Sequence, residues 1–162
     1  MPAPHGKTVQ ILTFIDTDNA GCLLTRRSRT GVLIYVNKAP VLWYSKRQNS
    51  VETSTFGSEF MALKTAVELS EGILYKKRMM GIPVEVPMHM RCDNKSVVYN
   101  TTDSASTLKK KSNSIVYHFV REKAAAGIVE VEHESTDTNL ADILTKILIG
   151  EKRDAMVKMI LY

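Results

Sequence analysis

The sequence predicts a mixed α/β domain, one five-stranded sheet flanked by helices and opened by an antiparallel meander. Three short β-rich stretches joined by turn chemistry come first, and helical and strand patterns then alternate to the C-terminus. No internal repeat, low-complexity tract or linker divides the 162 residues, and 44% apolar residues suffice for one core.

Pro2, Pro4 and Gly6 make residues 1–7 a loose lead-in to a domain body over 8–148, with a tail helix over 149–162. VQILTFI (Val9 to Ile15) is apolar and β-rich, a strand with most of its surface covered. GVLIYV (Gly31 to Val36) and VLWY (Val41 to Tyr44) follow, with the turn residues Asn37-Lys38-Ala39-Pro40 between them. The period then changes: Phe56, Phe60, Leu63, Val67 and Leu74 form the stripe of an amphipathic helix. Ser54 or Thr55 can cap its start, and Gly81 with Pro83 marks its end near Met80.

PMHMRC (Pro87 to Cys92) reads as a short strand, and Lys95 to Asn100 as a helical segment. A polar loop over Thr101 to Thr107 leads to the basic run Lys109-Lys110-Lys111. Ser114 to Ala126 reads as a helix stopped at Gly127, and the alternating IVEVEH (Ile128 to His133) as a strand. Leu140 to Leu148 reads as one more helix, and Lys152 to Leu161 as the tail helix.

A net charge of +5 favours polyanions but is also common in proteins that never touch nucleic acid. Cys22 and Cys92 are too few for a disulfide framework or a four-thiolate zinc site, and small buried thiols in a reducing compartment are expected. There is no apolar run of membrane-spanning length, and MPAPHGKTVQ lacks the apolar centre of a signal peptide. An intracellular protein without a membrane partner is therefore expected.

Four acids stand at strand ends or helix starts: Asp16, Glu59, Asp93 and Asp142. Each has an ordinary explanation. Asp16 and its neighbour Asp18 can open a polar turn, Glu59 can answer a helix dipole, and Asp93 and Asp142 can be N-caps. Collectively they allow side chains from different elements to converge. Such carboxylates would repel one another unless cations lay between them, and all-oxygen ligands suit Mg²⁺.

In these blocks the sequence resembles the ribonuclease H domain of copia-type long-terminal-repeat retrotransposon polyproteins. The resemblance runs from about Thr8 to Ile147 through IDTDNAGCLLTRRSRTGVLIYVNKAPVLWYSKRQ, VETSTFGSEFMALKTAVE, RCDNKSVV, KKKSNSIVYHFVREK and TDTNLADILTK. It implies a ribonuclease H-like fold and makes Asp16, Glu59, Asp93 and Asp142 the catalytic and metal-binding set, with Asp18 as an auxiliary. Two Mg²⁺ or Mn²⁺ ions are implied, roughly 3.5–4 Å apart, activating the attacking water and stabilising the departing oxygen. Asn19, Phe56-Gly57-Ser58 and Ser112 depart from the family pattern without removing an acid. No histidine stands between Glu134 and Asn139, where cellular ribonucleases H often carry one; His133 is assigned to the preceding strand, and His118 matches a frequent family residue, with a packed helix histidine and a functional one both open.

The implied substrate is an RNA–DNA hybrid duplex, held by shape and backbone rather than by sequence. Phosphate-contact candidates are Arg26, Arg27, Arg29, Lys46, Arg47 and Lys109, Lys110 and Lys111, each with a solvated surface as the ordinary alternative. Asn94 is a candidate for a hydroxyl contact or a local turn bond. The intact element implies a reverse transcriptase domain as partner and a cytoplasmic address, in virus-like particles, with the nucleus as a second address. A repurposed fragment that only binds nucleic acid or a partner is the alternative. The integrase class is set aside, because its spacing counted from Asp93 falls on Val129, not on an acid.

Overall fold

The computed structural model describes residues 2–52, 54–103 and 114–161. The expected meander is formed by β1 (Ile11–Asp18), β2 (Arg29–Val36) and β3 (Ala39–Arg47), paired antiparallel in sequence order. Val36 pairs with Ala39, so Asn37 and Lys38 alone make the β2–β3 turn, and Asn37 takes the left-handed conformation (φ 56) that asparagine tolerates. Two further strands, β4 (Met88–Cys92) and β5 (Val129–His133), run parallel to β1 on its other side. The sheet order is β3-β2-β1-β4-β5.

Helix α1 (Thr55–Met79) is capped by Ser54, whose side chain accepts from Gly57 N, and ends before Gly81 in the left-handed region (φ +75). Its predicted stripe is buried at Phe60, Leu63, Val67 and Leu74. With α2 (Lys95–Thr102) and α3 (Ser114–Ala125) it covers one face of the sheet, against Ile11, Ile15, Val32, Ile34, Met90 and Val131. A polar contact lies inside this core: Thr13 Oγ1 and Ser70 Oγ, both fully buried, share a hydrogen bond of 2.9 Å.

The opposite face is covered by a short 3-10 turn (Leu140–Leu144) and by α4 (Glu151–Leu161). Phe14, Leu33, Tyr35, Leu140, Ala141 and Met156 form this second core. The helix expected over Leu140 to Leu148 is therefore only the 3-10 turn. Among the described residues no helix is long and apolar enough to cross a membrane. The run Lys109 to Lys111 and Ser112 lie outside the described residues.

Candidate active site

Strand register brings the first two acids together. Ile15 is opposite Cys92 in the parallel β1–β4 pair, so Asp16 and Asp93 follow side by side at the C-terminal ends of adjacent strands. Glu59, on the fifth residue of α1, reaches the same place. Oxygens of Asp16, Glu59 and Asp93 all lie within 4.8 Å of one another.

Asp16 is 1% exposed and Glu59 5%. Burial, then the charges of Asp16 and Asp93, push the Glu59 carboxyl up to about 9, and its Oε2 has no hydrogen-bond partner. Burial also raises the Asp16 pKa, against the lowering effects of the Thr145 hydrogen bond and the Lys146 charge. A buried carboxylate without a partner is costly. A clustered set of oxygen donors with one orphan is the chemistry a hard divalent cation satisfies, so the residues fit Mg²⁺ or Mn²⁺.

Asp142, 1% exposed, is not part of that trio. Its Oδ1 accepts from Lys146 Nζ at 2.9 Å and its Oδ2 from Lys152 Nζ at 3.2 Å. Lys146 Nζ also reaches Asp16 Oδ1 at 3.2 Å, and Thr145 Oγ1 donates to Asp16 Oδ2. The fourth acid thus joins the other three through an ammonium group. The 3-10 turn that carries it is fixed by Asn139, whose Nδ2 donates to Ile15 O at 2.8 Å and whose Oδ1 accepts from Ala141 N at 3.2 Å. Gly31, opposite Asp16 on β2, leaves room for it: a Cβ there would stand 2.6 Å from Thr145 Cγ2 and 3.0 Å from Ala141 O.

Other expected residues are distributed differently. Asp18 ends β1 and accepts from Arg29 N, closing the β1–β2 connection outside the trio. Asn94, not Asp93, caps α2, accepting from Ser96 N and Val97 N, while Asp93 accepts from Thr136 Oγ1 at 3.1 Å. The capping explanation for Asp93 therefore fails, and Asn139 takes that role ahead of Asp142. Arg26, Arg27, Arg29, Lys46 and Arg47 are exposed. Lys46 and Arg47 line a groove of about 320 Å³ with Thr30, Gln48 and Asn49.

His133 ends β5 and His118 lies on α3 against the Tyr117 ring. Cys92 is buried as expected, but Cys22 is only partly covered. Hydrogen bonds from Thr25, then Arg47, draw its thiol down to about 7. Thr145, Lys146, Lys152 and Asn139 were not singled out by sequence. The signal for Lys146 was its place four residues after Asp142, where helical side chains meet.

An antiparallel meander joined to two parallel strands, with acids gathered at the ends of β1 and β4, is the ribonuclease H fold, and comparison with solved structures agrees. The chain is similar to LC11-RNase H1, isolated from compost by a metagenomic approach (TM-score 0.62, 18% identity, 92% of this chain and 96% of that one). It is also similar to the N-terminal RNase H domain of a Mycobacterium tuberculosis protein (TM-score 0.63, 14% identity, 94% and 96%). A structure of LC11-RNase H1 in complex with an RNA/DNA hybrid matches with TM-score 0.64 at 16% identity, over 84% of this chain and 94% of that one.

By sequence the chain is a relative of the retrovirus-related Pol polyproteins of copia-type transposons, as the resemblance implied. It is 30% identical to that of transposon RE1 and 29% to that of RE2, both of Arabidopsis thaliana, over 143 residues and 88% of the chain. It is 30% identical to that of transposon TNT 1-94 of Nicotiana tabacum over 144 residues, 86% of the chain. The chain spans about 10% of the length of these relatives. No protein-family model matches it.

Proposed function

We propose that the chain is a metal-dependent ribonuclease H domain that hydrolyses the RNA strand of RNA–DNA hybrids, as part of retrotransposon reverse transcription. One observation carries this reading: Asp16, Glu59 and Asp93 offer mutually close oxygens, the first two residues are buried, and Glu59 Oε2 has no partner. The similarity to a ribonuclease H solved with an RNA/DNA hybrid supports the substrate class.

Asp16, Glu59 and Asp93 would hold one divalent ion, and Asp16 with Asp142 a second. When bound, such a pair supplies an activated water and neutralises charge on the departing oxygen. The remaining work belongs to the chain itself. Arg29 and Arg47 stand directly opposite each other on β2 and β3, at the sheet end that carries Asp16 and Asp18. Like charges in that position are destabilising, and a phosphate backbone between them relieves the repulsion. Arg26, Arg27 and Lys46 extend the basic rim. Asn94 commits its oxygen to the α2 cap, leaving its NH₂ group to donate to a 2′-hydroxyl.

A gel assay of a labelled hybrid with Mg²⁺ or Mn²⁺ tests this. Cleavage of the RNA strand alone is expected, abolished by Asp16→Asn or Asp93→Asn. Cutting that survives both substitutions rejects the assigned site. Salt-sensitive binding without cutting supports the binding-only alternative instead.

A further inference from the structure

The Lys146 ammonium group lies between two carboxylates that are each 1% exposed, 3.2 Å from Asp16 Oδ1 and 2.9 Å from Asp142 Oδ1. Two buried acids so placed repel each other unless a positive charge intervenes. Lysine suits a removable charge: its ammonium is a compact point charge on a flexible stem, not a rigid fork. The stem has somewhere to go, because the Lys146 side chain is 37% exposed.

Asp142 is neutralised from both sides, with Lys152 Nζ on its other oxygen. Glu59 Oε2, by contrast, has no partner. The acids therefore divide into a group that keeps an unpartnered oxygen, Asp16 with Glu59 and Asp93, and a group bridged by an internal cation, Asp16 with Asp142.

We propose that Lys146 is a built-in counter-ion for the Asp16–Asp142 position, so that the site takes up a first divalent ion directly and a second only by displacing the Lys146 ammonium into solvent. Lys146 then weakens the second ion, whose two acids it bridges, far more than the first, which shares only Asp16 with it. This inference rests on the metal-site reading above and adds an order of filling to it.

The experiment is a Mn²⁺ titration of the full chain without nucleic acid, followed by calorimetry and by the free-Mn²⁺ resonance signal. A tight and a weak step are expected for the unsubstituted protein. Lys146→Met keeps the stem and removes the charge, and should tighten the second step by about tenfold or more, as expected for deleting a like charge a few Å away. The first step should move far less.

Lys146→Arg retains the charge and should keep the second step weak, which guards against a folding defect in the methionine variant. Thermal unfolding in chelator adds an independent readout. Lys146→Met should unfold at a lower temperature than the parent, and Mn²⁺ should narrow the gap. A second step that is unchanged in Lys146→Met, or absent from all three proteins while the first persists, overturns the inference alone. Uptake of no Mn²⁺ by any of them overturns the metal-site reading together with it.

Discussion

Glu59 shows what burial does to one residue. Five residues past its cap, it lies beyond the first turn of α1, where the helix dipole would have accounted for it. Instead, burial and the charges of Asp16 and Asp93 raise its carboxyl to about 9, from an ordinary value of 4.5. Between those two values the folded state binds more protons than the unfolded one, so stability falls as pH rises. The raised Asp16 contributes in the same direction. Glu59→Gln should flatten this dependence: in urea titrations with chelator at pH 5 and pH 8, the parent should lose more stability than the variant. Equal losses would reject the buried, clustered state of Glu59. The acid itself was legible in TSTFGSEF, but its burial was not, because burial comes from the strand ends that α1 packs against.

The strands and α1 were readable from period and punctuation, since apolar alternation and an i, i+3, i+4 stripe act locally. The segment after β5 was not. Leu140, Ile143, Leu144 and Leu148 have helical spacing, yet the helix stops at Leu144. Thr145 and Lys146 turn instead to Asp16 and Asp142, and Leu144 O accepts from Ser45 Oγ at 2.6 Å. Tertiary partners override the local pattern there. Asn139 is the pin of this element, fully buried with its amide bonded to β1 at one end and to the turn at the other. Asn139→Ala should cost about 1–3 kcal/mol, because it leaves buried backbone groups unpaired. It should also weaken metal binding by loosening the turn that carries Asp142. Urea unfolding and a Mn²⁺ titration check the two effects, and a variant as stable as the parent would show that the turn is held by its apolar side chains alone.

For the whole molecule, element order foretold the sheet, but the parallel register that sets Asp16 beside Asp93 is a long-range property no local pattern encodes. That register makes the proposed metal site a product of folding. The unfolded chain does not hold these acids together, so a divalent ion held by them would bind the folded state in preference and stabilise it by mass action. At a free Mg²⁺ concentration about 100 times its dissociation constant, one site contributes about 2.7 kcal/mol. For a domain of this size that corresponds to a rise in midpoint of roughly 5–10 °C. Asp16→Asn and Asp93→Asn should abolish most of the rise. In chelator, Asp16→Asn removes one of the charges facing Glu59 but also one of the two oxygens that accept from Lys146 and Thr145, so its own midpoint is not the diagnostic quantity. The difference between scans with and without Mg²⁺ is. A parent protein whose midpoint ignores Mg²⁺ at millimolar concentration, or a rise that persists in both variants, would mean that the clustered acids are not where the ion binds.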